Sequence, residues 1–131
     1  MSLKIIHTAD WHLGQTFFGY DRDEEHEAFL SWLIDILTLR QTDVLLIAGD
    51  VFDVANPSAA AQRRFFRFLR EANRRNPQLQ IVIIAGNHDS AARLEAPIPL
   101  LEELNTSIVG VVPRTDLCKI DFDSLLIPLY N

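Results

Sequence analysis

Cysteine is almost absent: Cys118 stands alone among 131 residues, so no disulfide can form within the chain. The opening residues, Met1-Ser2-Leu3-Lys4, lead straight into an apolar stretch and have no signal-peptide shape, which together with the lone cysteine points to a cytoplasmic protein. Long hydrophobic runs are lacking too, and nothing approaches the roughly 20 apolar residues of a membrane span. Positive charge is scarce, with 12 Lys and Arg against 18 Asp and Glu, a formal net charge of −6. That deficit counts against tight binding of DNA by this chain alone. Apolar residues are plentiful at 48%, which excludes a disordered chain. The length allows one domain, residues 1–131, with a real core.

Three apolar runs of strand length, residues 3–6, 44–47 and 81–84, each end in a small residue followed by a polar one. The endings are Thr8-Ala9-Asp10-Trp11-His12, Ala48-Gly49-Asp50-Val51-Phe52-Asp53 and Ala85-Gly86-Asn87-His88-Asp89. Small residues suit a backbone crowded against a shared centre. Parallel strands of an open α/β sheet bring their carboxyl ends to one edge, where ligands bind. Three sites far apart in sequence therefore converge.

Carboxylates and an amide oxygen favour manganese or magnesium, and imidazole widens the choice to iron or zinc. Asp10 and His12 lie two apart, so in extended chain both face one side. Two metals roughly 3.5–4 Å apart form the usual clamp for attack on a phosphoryl group. Asp50 is the natural bridge between them. A plain alternative makes Asp50 and Asn87 turn residues after strands. Recurrence at three successive strand ends favours the shared centre.

Asp-x-His, Gly-Asp-x-x-Asp and Gly-Asn-His-Asp together resemble the calcineurin-like metallophosphoesterases. The fuller strings, with Trp11-His12-Leu13-Gly14 among them, are similar to the SbcD-type DNA-repair nuclease branch of that superfamily. The resemblance implies hydrolysis of DNA phosphodiesters, exo- and endonucleolytic, with two divalent ions, Mn²⁺ or Mg²⁺. It implies Asp10 and His12 on one metal, Asp50 bridging and Asn87 on the second. His88 would protonate the leaving oxygen, and Asp53 would hydrogen-bond His88 and keep it cationic. Implied partners are DNA, an SbcC-type ATPase and a second copy of the chain. The family completes its site with further histidines, whereas no histidine follows His88 here. The expectation is thus the first half of a nuclease domain, weak or inactive alone. Competing readings are a phosphodiesterase acting on a small molecule and a non-catalytic interaction module on the same fold.

Taken in order, residues 3–9 read as a central strand, apolar on both faces. His7 within it reads as structural. Phe17, Phe18 and Tyr20 follow in the loop and could stack on unpaired bases, although at least one Phe is expected to fold under it into the core. Residues 21–40 read as a helix with acids in the first turn and a core stripe of Ala28, Phe29, Trp32, Leu33, Ile36 and Leu37. His26 falls on its solvated side. Ser58 reads as the N-cap of a second helix, 59–73, with a stripe of Ala61, Phe65, Phe68, Leu69 and Ala72. Phe66 lies off that stripe among arginines and is a candidate contact with another chain. Those arginines, 63, 64, 67, 70, 74 and 75, either meet phosphates or form a solvated face. A helix over 91–104, a strand over 106–112 and a hairpin over 117–130 complete a layered α/β reading, helices on a mixed sheet.

Overall fold

The computed structural model of the chain describes residues 2–86, 104–110 and 114–130. Four parallel strands, β1 (Ile5–Thr8), β4 (Val44–Ala48), β5 (Gln80–Ile84) and β6 (Thr106–Val109), form a sheet in the order β1-β4-β5-β6. A short hairpin, β2 (Thr16–Phe17) and β3 (Tyr20–Asp21), follows β1. Helix α1 (Asp23–Leu39) joins β1 to β4, and α2 (Ala59–Arg75) joins β4 to β5, as parallel pairing requires of its crossovers. The layered α/β reading holds, but the sheet is not mixed: among the described residues its four strands pair only in parallel, because each of the two described connections between them runs through a helix.

Registry explains the core. Ile6 pairs with Leu45, Leu45 with Ile81, and Ile47 with Ile83, which in turn pairs with Ile108. These side chains share one face, and α1 and α2 cover it with Leu30, Leu33, Leu37, Phe65, Phe68 and Leu69. The α2 stripe is buried as its periodicity predicts, and Ser58 Oγ accepts from the Ala61 amide at 3.1 Å. The reading of β1 as central does not hold. Among the described residues it pairs only with β4, and Ile5, on the face away from the helices, is 47% exposed. An apolar strand need not be flanked on both sides. β4 and β5 hold the central positions instead.

Helix α1 is rotated from the expected stripe. Its buried residues are His26, Leu30, Leu33, Ile34 and Leu37, whereas Trp32 is 58% exposed. Trp11 explains this, because it enters the same core from the loop after β1. It packs edge-on against Phe29, Phe65 and Phe68 at centroid distances of 5.6, 6.2 and 5.2 Å. One indole fills the aromatic position, and the other stays outside.

Charges tie the helices together. Arg64 reaches Glu27 at 2.7 Å and Asp23 at 3.3 Å, and Arg75 reaches Asp35 at 2.7 Å, while Arg74 pairs with Glu71 within α2. Much of the arginine-rich stretch is therefore neutralised within the chain. Phe66 is half-buried, its ring 5.3 Å from that of Phe65 and packed against the core.

No hairpin forms over 117–130. A lone antiparallel bridge links Arg114 to Ile120, and a 3-10 turn occupies Asp123–Leu125. Aspartate at position 123 favours local bonding over a ladder, and Pro128 lacks a donor. The segment is held instead by Gln80, whose side-chain oxygen accepts from the Tyr130 amide at 2.9 Å. The expected helix at 91–104 lies mostly outside the described residues, as do residues 111 and 112 of the last strand.

Candidate metal centre

The loops after β1 and β4 stay paired beyond the strands. The Asp10 amide donates to the Gly49 carbonyl at 3.1 Å, His12 to Asp50 at 3.0 Å and Leu13 to Val51 at 2.9 Å. This laces the first two motifs into one wall. Asp10, His12 and Asp50 all adopt left-handed backbone, with φ of 56°, 50° and 50°. Non-glycine residues rarely do so, and such strain gathers where a site imposes it. The expected pleat alternation is thus not what joins Asp10 to His12. Two left-handed turns do it.

The donor atoms meet. His12 Nε2 lies 4.0 Å from Asp10 Oδ1 and 3.9 Å from Asp50 Oδ2, and one donor from each residue falls within a 4.8 Å group. Bonds of roughly 2.0–2.2 Å to a shared ion place adjacent donors about 3–4 Å apart, so the set needs little adjustment. Asp50 is 7% exposed, and the Asp10 side chain is open at 69%, which leaves one side accessible to a ligand. Two carboxylates and an imidazole form a donor set for a divalent cation. The residues fit.

Asp53 turns out to face His12. Its Oδ1 lies 3.2 Å from His12 Nδ1, on the far side of the ring from Nε2. A carboxylate there holds the proton on Nδ1 and directs the Nε2 lone pair outward, the usual outer partner of a metal-bound histidine. The expected contact of Asp53 with His88 falls outside the described residues, as do Asn87 and Asp89.

The third strand end enters through Gly86. A β-carbon built on it would overlap the Asp50 amide nitrogen and carboxylate, and one on Gly49 would come within 3.2 Å of the Gly86 α-carbon. The β4 and β5 loops touch backbone to backbone here, so the third strand end closes directly on Asp50. Phe17, Phe18 and Tyr20 stand on the hairpin at 63%, 86% and 77% exposure. Neither Phe folds under. The rings of Phe17 and Phe18 pack edge-on at 4.5 Å instead, because a two-residue strand pair on the rim reaches no core.

Sequence reasoning missed a pocket of about 370 Å³ beside the metal ligands, lined in part by Gln15, Arg22, Glu25, His26 and Trp11. His26 is buried with neither ring nitrogen hydrogen-bonded. Its spacing of four and seven residues from Leu30 and Leu33 was the available signal. Burial pushes its pKa below 6.5, and Arg22 and Arg64 push it further. The unfolded chain therefore takes up a proton that the folded chain refuses. Stability is full above the ordinary histidine value and falls as pH drops below it. His26→Leu is expected to flatten that slope, seen as urea midpoints that differ less between about pH 7.5 and about pH 5 than in wild type. Equal slopes would remove His26 as the cause.

Residues 3–128 match the model of the calcineurin-like phosphoesterase family. The chain is 51% identical to the SbcD subunit of the SbcCD nuclease from Rhodobacter capsulatus over 97% of its length. It is 38% identical to the corresponding protein of Escherichia coli K12 over 92%, and 40% identical to that of Bacillus subtilis over 93%. These alignments cover 31%, 33% and 31% of the relatives, so the chain spans about a third of their length. The convergent strand ends, the Asp10–His12–Asp50 cluster and the family match over residues 3–128 lead to one conclusion: the chain belongs to the calcineurin-like phosphoesterase family.

Proposed function

We propose that this chain is the amino-terminal part of a metal-dependent nuclease that hydrolyses DNA phosphodiesters, working in the cytoplasm with Mn²⁺, or alternatively Mg²⁺. The observation that carries the reading is the Asp10–His12–Asp50 donor cluster at the strand ends. Similarity to curated nucleases supports DNA over a small diester. Asp10 and His12 would hold one cation, Asp50 would reach both, and Asn87 would serve the second. Bound cations would supply Lewis acidity toward a phosphoryl oxygen and acidify a coordinated water. His88 gives a proton to the leaving oxygen. Asp53 keeps His12 in its Nδ1–H form, so Asp53→Ala is expected to weaken Mn²⁺ binding by roughly 10- to 100-fold, read by calorimetry. Unchanged affinity would reduce Asp53 to a loop residue.

Phe17, Phe18 and Tyr20 offer ring faces to unpaired bases. The acidic balance and the paired arginines of α2 leave backbone affinity to other segments, a second copy or an SbcC-type ATPase. Phe66 would serve a dimer only through its exposed edge. Among the described residues no helix is long and apolar enough to cross a membrane. The test compares rates on linear duplex DNA and on a chromogenic phosphodiester, in Mn²⁺, using the longer protein this proposal implies. Preference for DNA supports the nuclease. The reverse order favours a small-molecule phosphodiesterase, and no turnover of either favours an interaction module.

A further inference from the structure

The pocket behind Asp10 and His12 has a composition that restricts its occupant. Trp11, Phe29 and Leu30 make its apolar wall. On the polar side, Arg22 is held by two partners. Its Nη1 donates to Gln15 Oε1 at 2.7 Å, while Nε and Nη2 grip Glu25 Oε2 at 3.0 and 2.9 Å. A guanidinium so paired offers no net charge to an anion. The Arg22 contact also fixes the Gln15 amide, because only its oxygen can accept, so its NH₂ is the end left to donate to a ligand. His26, buried at the same pocket with its pKa lowered by burial, adds no positive charge. The pocket therefore carries no net positive charge, is aromatic-walled and shares Asp10 and His12 with the metal centre. Its ~370 Å³ lies within the range of small-ligand sites.

We infer that this pocket receives the nucleoside of the nucleotide whose phosphate meets the metal centre, with the heterocycle against Trp11 and Phe29 and Gln15 hydrogen-bonding its edge. The choice of a nucleoside rests on the nuclease reading above, whereas the lack of net positive charge and an aromatic wall are properties of the pocket itself. A phosphate site would need a free cation. Among the described residues lining this pocket Arg22 is the only arginine or lysine, and its charge is paired with that of Glu25.

The experiment titrates 2′-deoxyadenosine into the chain in EDTA and follows the indole N–H resonances of Trp11 and Trp32, assigned with Trp32→Phe. The expected result is a saturable shift of Trp11 with Trp32 unmoved, and at least tenfold weaker binding in both Gln15→Ala and Gln15→Glu. Matching indole positions in the free variants establish that they fold. No saturable shift, wild-type affinity in the variants, or the same shift with inorganic phosphate would overturn the pocket. Metal plays no part in this titration. A chain that binds Mn²⁺ but no nucleoside loses only the pocket. One that binds the nucleoside but no Mn²⁺ loses the metal reading instead.

Discussion

Asp50→Asn abolishes the thermal stabilisation that Mn²⁺ gives this chain, while leaving the metal-free chain as stable as wild type or more so. The two halves of this expectation have one cause. Asp50 is 7% exposed and shares its surroundings with the Asp10 carboxylate around a single imidazole. Without a cation, crowding two anions there works against the fold, as function-serving sites often do. With a cation, that arrangement becomes the binding energy. Asparagine tolerates the left-handed backbone at φ 50° nearly as well as aspartate, so the substitution removes charge without adding strain. Asp50→Ala is the less clean variant for this reason. At about 100 times the dissociation constant, a bound ion adds roughly 2.7 kcal/mol to stability, a shift of several degrees in a domain of this size. The measurement is melting temperature in EDTA and in Mn²⁺, with calorimetric stoichiometry. Two sites lost in Asp50→Asn would mean that Asp50 bridges. One site lost would restrict it to the Asp10–His12 cation, and a variant that keeps the Mn²⁺ shift would remove Asp50 from the centre.

The fold was legible where periodicity and burial act on one element at a time. Helix α2 reads directly, because Ala61, Phe65, Phe68, Leu69 and Ala72 are all buried as the helical period places them, and Trp11 packs against that stripe without displacing it. Helix α1 does not, because Trp11 arrives from another segment and takes the aromatic position that periodicity assigns to Trp32. No pattern within residues 23–39 records that competition. The metal centre was legible as a set of residue types and strand ends. Its geometry was not, since left-handed backbone at Asp10 and His12 leaves no composition signal beyond the tolerance of Asp and His for it. Asp53 shows the same limit. Its spacing of three residues from Asp50 does not tell that its carboxylate reaches the His12 ring. The tail over 117–130 failed for a different reason. Alternating apolar residues describe a strand only where a partner edge is available, and among the described residues the tail shows one isolated bridge and local turns in place of a ladder.

Gly86→Ala is expected to cost this chain its metal affinity as completely as loss of a ligand, although Gly86 contributes no donor side chain. A methyl group at this position meets the Asp50 amide nitrogen and carboxylate, and the Asp50 backbone cannot yield freely. Its carbonyl accepts the His12 amide at 3.0 Å, and the Gly49 carbonyl beside it accepts Asp10 at 3.1 Å. Pushing Asp50 away from Gly86 therefore disturbs the backbone under all three donors, and Asp50, which takes the clash directly, moves further than Asp10 and His12. Overpacking of this kind costs about 1–3 kcal/mol of stability, which a domain can survive. The donor spacing cannot survive it, because coordination requires every ligand atom within a few tenths of an ångström. Gly19→Ala is the control. Gly19 also has positive φ, at 81°, but a β-carbon there meets nothing within 4 Å. It should carry only the backbone penalty, of order 1 kcal/mol, and bind Mn²⁺ as wild type does. Urea midpoints and Mn²⁺ titrations of both variants separate the two effects. Equal loss of affinity in both would trace the defect to general destabilisation. Loss in Gly86→Ala alone would show that the close approach of β4 and β5 holds the centre together.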